Sequence, residues 1–173
     1  MKRYTNFILI FLVLLGFCGC RKKNTDYLEP VTFYFCNDIS DTNMSSDDFH
    51  NIFVAEIHEG AGYTNNLLSF LSLYFTGPSS ASLVSPFPTD TAVISYQMED
   101  DHVCVVLSDS LASIDGLDLT IACTCLSMTV MEFTGCDSVE ISLESSPLGN
   151  GDAIVMSKDM LVLSDSTQMI PEE

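Results

Sequence analysis

The sequence has no tryptophan and very little positive charge: 6 lysine and arginine residues stand against 24 aspartate and glutamate residues in a chain of 173. Lys158 is the only lysine or arginine after position 23. A body with this charge repels nucleic-acid phosphates, which argues against DNA- and RNA-binding proteins. It is not a disordered polymer either, because 47% of its residues are hydrophobic and a chain of this length can bury a core.

The N-terminus reads as a secretory signal. Lys2 and Arg3 precede an apolar run over residues 7–20, which is short for a membrane-spanning helix of about 20 residues. The run ends in Gly19-Cys20, and this end resembles a bacterial lipobox. We therefore expect a signal peptide over residues 1–19, palmitate on Cys20 and a membrane-proximal tether over residues 20–30. An uncleaved N-terminal anchor is the alternative, and either arrangement holds the body at the extracytoplasmic face of the cell membrane.

Cysteines beyond the signal do not follow a metal-binding spacing, which places two residues between paired ligands. Their number is odd, so they cannot all pair in an exported domain. We predict buried free thiols that behave as small hydrophobic residues and leave open whether any disulfide forms. The residues are Cys36, Cys104, Cys123, Cys125 and Cys136.

Periodicity predicts strands and helices in alternation. Strands are expected at residues 31–36, 51–58, 91–98, 102–107, 137–144 and within 153–163, with an acidic hairpin turn at 99–101. A first helix is capped by Thr64 or Asn65 and stopped by Gly77-Pro78, followed by a loop over residues 79–90. A second helix opens at Asp115 or Asp118 and ends at Gly135. Its predicted buried stripe is Leu119, Ala122, Leu126, Val130 and Phe133.

This order predicts an α+β fold, a two-layer sandwich in which two main helices pack on one face of a mixed β-sheet. The strand over residues 137–144 supports it, since Val139 and Ile141 alternate with Glu140 and Ser142 as in a sheet covered on one side. The predicted domain spans residues 31–165 and is followed by a polar tail over residues 166–173.

Several motifs in this order resemble the GerMN domain of GerM-type spore-germination and sporulation lipoproteins. They are Gly77-Pro78 after the first helix, Ser85-Pro86-Phe87-Pro88 with the strand that follows it, Met128-Thr129-Val130 in the second helix, and Val139-Glu140-Ile141. The sequence departs from the family at Glu144-Ser145-Ser146-Pro147, where a Gly after an Asp is usual.

The resemblance implies a fold similar to the ring-building modules of bacterial secretion systems. It also implies a non-catalytic assembly role in an envelope or sporulation-associated complex, with envelope protein partners or further copies of the chain and without a cofactor. Gly77 is expected to adopt a positive φ, and Leu71 is expected in the core. Because neighbours of this acidity repel each other, we expect a partner with a basic face.

Motifs of catalysis and metal binding are missing from the sequence. His58-Glu59 is not followed by a second histidine four residues on, and Gly60-Ala61-Gly62 lacks the lysine of a phosphate-binding loop. His50, His58 and His102 are interpreted as surface or strand-end residues. We therefore expect no enzyme, no catalytic or cofactor-binding residue and no metal site. The alternative function is an extracytoplasmic protein that binds divalent cations or a cationic ligand on its acidic surface.

Overall fold

In the computed structural model, which describes residues 30–37, 52–58 and 66–161, the strands form two sheets. The predicted signal peptide, Cys20, His50, Gly60-Ala61-Gly62 and the polar tail lie outside the described residues. The strands are β1 (Val31–Asn37), β2 (Phe53–His58), β3 (Leu83–Val84), β4 (Val93–Glu99), β5 (His102–Leu107), β6 (Ser138–Leu143) and β7 (Ala153–Ser157). The helices are α1 (Leu67–Tyr74), α2 (Gly116–Thr134) and α3 (Lys158–Leu161), with a 3-10 helix at Asp109–Ser113.

The first sheet is antiparallel and has the strand order β2–β1–β3. β-branched and aromatic residues fill β1, which suits a pleated surface with one buried face, and Phe33 and Phe35 are buried in the core. β2 pairs with β1 along its whole length, whereas β3 pairs only with Cys36 and Asn37. The short β3 therefore leaves the middle of this edge of β1 to other partners.

The second sheet has the order β4–β5–β6–β7. β5 and β6 are parallel, and α2 makes the crossover between them, as a parallel pair requires. β4 and β5 form the predicted hairpin, with Glu99 opposite His102. Asp100 in its turn has φ +47°, a left-handed conformation that aspartate adopts more readily than most residues.

The helix ends follow ordinary capping chemistry. The side chain of Asn66 caps α1 by accepting a hydrogen bond from the N–H of Ser69 at 3.1 Å. After α1, Gly77 has φ +92° as expected. Gly135 ends α2 in the left-handed conformation, and its N–H donates to the carbonyl of Met131.

The core forms where α1 and α2 pack against the two sheets. Leu71 of α1 and Val139 and Ile141 of β6 are fully buried, as predicted. α2 contacts β1 of the first sheet and β6 and β7 of the second. Within the described residues, it is the one helix long and apolar enough to cross a membrane, but 56% of it is buried inside the fold. Its apolar composition is accordingly that of a core helix.

The α+β class is confirmed, and the structure differs from the local expectations in five respects. The strands form two sheets where one mixed sheet was predicted. α1 is capped by Asn66, one residue after the predicted Asn65. The loop over residues 79–90 contains β3, and the 3-10 helix after β5 was not foreseen. Finally, α2 buries far more than one stripe, because it contacts both sheets.

Candidate functional site

Polar and titratable side chains gather on the outward face of the second sheet. Alternate residues of β5 and β6 are buried, so the intervening residues face away from the core. The parallel register sets His102 opposite Ser138 and Cys104 opposite Glu140. On the other side of β5, Glu99 lies opposite His102. Three neighbouring strands therefore contribute to one polar patch.

His102, Cys104 and Glu140 form the tightest part of this patch. Their ligand atoms, a ring nitrogen, Sγ and a carboxylate oxygen, all lie within 4.8 Å of one another. Nε2 of His102 is 3.6 Å from Oε2 of Glu140. The other ring nitrogen, Nδ1, is 2.7 Å from the hydroxyl oxygen of Ser138. This second contact orients the ring and leaves Nε2 turned toward the carboxylate.

The surroundings of Cys104 disfavour its thiolate. Partial burial raises the pKa of the Cys104 thiol, and the negative charges of Glu140 and Glu99 raise the pKa further. Lys158 is the one lysine or arginine among the described residues, and its Nζ lies 2.6 Å from Oδ1 of Asp137. It therefore supplies no partner to the Cys104 thiol.

The structure separates the histidines that the sequence singled out. His58 lies on β2, where its Nε2 is 2.8 Å from Oε2 of Glu56, and His102 lies on the second sheet. His50 is outside the described residues. The cluster around His102 was missed because Glu140 is far away in sequence and is brought in by the parallel pairing of β5 with β6. One signal was present: His102 and Cys104 alternate with the buried residues of their strand.

A second polar contact ties β2 to the loop after α1. The carboxylate of Glu56 accepts hydrogen bonds from the backbone N–H of Ser79 at 3.1 Å and of Ser80 at 2.8 Å. Burial opposes ionisation of Glu56, but the hydrogen bonds from His58, Ser79 and Ser80 outweigh it and lower the pKa of this carboxyl. Glu56 therefore fixes the loop that follows Gly77.

Inside the core, side chains form hydrogen bonds with backbone groups on the edge of β1 that β2 does not cover. The backbone N–H of Tyr34 donates to Oγ1 of Thr129 at 3.0 Å, and the hydroxyl of Tyr74 donates to the carbonyl of Tyr34 at 2.8 Å. Burial raises the pKa of Tyr74 well above its ordinary value. Thr129 of α2 thus occupies a place that a neighbouring strand would otherwise take.

The five cysteines of the body are free thiols in the structure, four of them buried and Cys104 half-buried. Sγ of Cys36 lies 3.8 Å from Sγ of Cys125, between β1 and α2. This contact and burial together raise the pKa of the Cys125 thiol. Burial raises the pKa of Cys123 to about 12. The Cys123 and Cys125 thiols are therefore protonated at neutral pH. The hydrogen bond with Cys125 lowers the pKa of the Cys36 thiol, although burial opposes this effect.

The outer strand β4 offers a different kind of surface. Most of its residues are exposed, including Ile94, Tyr96 and Met98, and it forms one edge of the second sheet. An open groove lies where its beginning meets α1, and none of the groove's lining residues is titratable. They are Ser72, Phe75, Thr76, Thr91, Ala92 and Val93.

No protein-family model and no curated protein matches the sequence. Two solved structures of the sporulation protein GerM from Bacillus subtilis are similar to the chain. Its first GerMN domain matches with a TM-score of 0.52 and 15% identity, over 75% of this chain and 98% of that one. The tandem GerMN domains match with a TM-score of 0.53 and 16% identity, over 71% of this chain and 42% of that one.

The chain thus covers nearly all of one GerMN domain and less than half of the tandem pair. At these identities the similarity shows the fold alone. Of the motif residues that resemble the family, Gly77 follows α1, Thr129 lies in α2, and Val139 and Ile141 lie in the core strand β6. The chain has the fold of a GerMN domain.

Proposed function

We propose that this protein is a lipid-anchored, extracytoplasmic interaction module of the GerM type, which works without catalysis in a bacterial envelope or sporulation-associated assembly. The GerMN fold supports this role, because the same fold occurs as a tandem pair in a sporulation protein. The groove without titratable side chains is also in keeping with a non-catalytic role.

The observation that carries the proposal is the exposed strand β4. Edge strands present unpaired backbone groups and are places where another chain can add to a sheet. Tyr96 and Met98 are 37% and 52% exposed on this strand, and aromatic residues and methionine are common at the centres of interfaces. We place the partner contact here.

The charge of the chain favours a partner with a basic face. Because 24 acidic residues face a single lysine after position 23, two copies of the body repel each other at low ionic strength. A basic partner converts this repulsion into attraction and also speeds association.

Cross-linked pull-down of the full chain from its native membranes tests the proposal. The double variant Tyr96→Lys/Met98→Lys should lose the partner that the wild type recovers, because lysine on an edge strand blocks the addition of another strand. Leu117→Lys is the matched control, since Leu117 is 68% exposed on α2, and it should retain the partner. Recovery of the bait alone, or equal recovery by both variants, contradicts the proposal.

The lipid anchor needs a separate test. Labelling of growing cells with radioactive palmitate should mark the wild type and should fail to mark Cys20→Ala. The control variant Cys18→Ala, which replaces the cysteine two residues before Cys20, should be marked as the wild type is. Label retained by Cys20→Ala would reject Cys20 as the attachment site, whereas a wild type that takes up no label would favour an uncleaved N-terminal anchor.

A further inference from the structure

We propose that the outward face of the second sheet binds a divalent metal ion of the zinc class through His102, Cys104 and Glu140. This site is independent of the interaction role proposed above, because its three ligands lie on β5 and β6, while the proposed contact is made by Tyr96 and Met98 of the edge strand β4. It also differs from a general attraction of cations to an acidic surface, because it depends on one thiol and one imidazole.

The spacing of the three side chains suits one small ion. Ligand atoms held about 2.0–2.3 Å from a tetrahedral zinc ion lie about 3.3–3.8 Å from each other. The distance from Nε2 of His102 to Oε2 of Glu140, 3.6 Å, already falls in this range. No two of the three ligand atoms are more than 4.8 Å apart, so small side-chain rotations bring all three atoms to a common ion.

The backbone holds the three residues in place. His102 and Cys104 are two residues apart on β5 and therefore project from the same face, and Glu140 is directly opposite Cys104 on β6. β5 and β6 are the two central strands of their sheet, paired on both sides. Donor groups on paired central strands keep a more constant geometry than donor groups on loops.

Ser138 supplies the outer contact that metal-bound histidines usually have. Its hydroxyl oxygen is 2.7 Å from Nδ1 of His102, and a hydrogen bond at one ring nitrogen fixes the other as the ligand. Here the nitrogen left for the ion is Nε2, the one that points toward Glu140.

Solvent and charge also favour a cation. The side chains of His102 and Glu140 are 30% and 39% exposed, so an ion can enter and a water molecule can fill a fourth coordination position. Glu99, opposite His102 on β4, adds a further carboxylate to the patch. Binding releases the thiol proton of Cys104 to solvent, and the thiolate becomes the sulfur ligand.

The donor set distinguishes zinc from the hard cations. One sulfur, one imidazole nitrogen and one carboxylate oxygen suit zinc and its neighbours among the transition metals. Calcium takes six to eight oxygen ligands, and magnesium prefers oxygen in an octahedron. Neither is expected to compete at this site.

Titration of the full chain with cobalt(II) under reducing conditions tests the site, because a cobalt–thiolate bond produces an intense near-ultraviolet absorption. The wild type should develop this band at one equivalent of cobalt and lose it when zinc is added. Cys104→Ala should not develop it. If Cys104→Ala shows the same band as the wild type, the proposal is overturned.

Zinc affinity, measured by competition with a chromophoric chelator, tests the other two contributions. Glu140→Gln should weaken zinc binding at least tenfold, and Ser138→Ala should weaken it about 10–100-fold through the lost outer contact. Glu132→Gln is the matched control, since Glu132 is an exposed carboxylate on α2, and it should bind as the wild type does. Equal affinity of all three variants, or equal weakening in the control, overturns the proposal. Circular dichroism of each metal-free variant verifies that the fold is retained.

Discussion

Replacing Thr129 with valine tests how the fold closes the open edge of β1. Valine has nearly the same shape as threonine but lacks the hydroxyl oxygen that accepts the hydrogen bond from the N–H of Tyr34 at 3.0 Å. Thr129 is fully buried, so water cannot replace the lost acceptor. The substitution therefore removes a hydrogen bond without creating a cavity.

The expected cost follows from this geometry. Depriving a buried N–H group of its acceptor destabilises a protein by about 1–3 kcal/mol. At about 4 °C per kcal/mol for a domain of this size, Tm should fall by about 4–12 °C. Thr124→Val on the same helix is the matched control, because the Thr124 hydroxyl donates only to the carbonyl of Thr120 one turn earlier. This control should change stability by less than about 0.5 kcal/mol.

Chemical denaturation of both variants, followed by circular dichroism, measures the difference. Tyr74→Phe removes the donor to the Tyr34 carbonyl, and combining it with Thr129→Val should cost less than the sum of the single changes, because the two side chains serve one residue. If Thr129→Val is as stable as Thr124→Val, then α2 does not substitute for a strand at this edge and the reasoning is wrong.

Two further predictions concern α1 and the loop after it. Leu71→Ala should lower the free energy of unfolding by about 2–5 kcal/mol, because Leu71 is fully buried between α1 and the sheets; an unchanged denaturation midpoint would contradict this placement. Glu56→Gln should lower it by about 1 kcal/mol at pH 7, where the carboxylate accepts from Ser79 and Ser80. Since the folded state lowers the pKa of Glu56 from its ordinary value of 4.5, this contribution is complete above pH 4.5 and is lost as the pH falls through the lowered pKa. Unfolding measured between pH 7 and pH 3 should show the two proteins converging, and a constant difference would refute the assignment.

The local sequence pattern was sufficient to predict most of the strands and helices. The alternation of Val139, Ile141 and Leu143 predicted β6 and its buried face, and Gly77 and Gly135 predicted the two helix ends, because these signals depend on neighbours in the chain. β3 was missed, since two residues are too short to show a period. The cap of α1 was displaced by one residue because Thr64, Asn65 and Asn66 are all chemically able to cap.

The burial of α2 could not be predicted fully from the local sequence pattern. A single hydrophobic stripe predicts one packing partner, but Cys125 and Thr129 lie outside the predicted stripe and contact β1. A helix that contacts two sheets buries polar residues as well, and most buried polar groups find a hydrogen bond. The buried hydroxyl of Ser127 has none among the described residues, whereas Thr129 has one. Whether Thr129 finds one depends on where β1 runs, and the order of residues in the helix does not reveal this.

The sequence by itself determined the acidity of the body, the α+β class, the strand and helix periods and the buried face of β6, because composition and short-range alternation act within a few residues. Tertiary structure alone decided that the strands divide into two sheets and that α2 joins them. It also brought Glu140 beside His102 and Cys104, since that contact depends on the register of two strands that a long crossover separates. Such registers are selected by the packing of the whole core, and no local stretch of sequence contains that information.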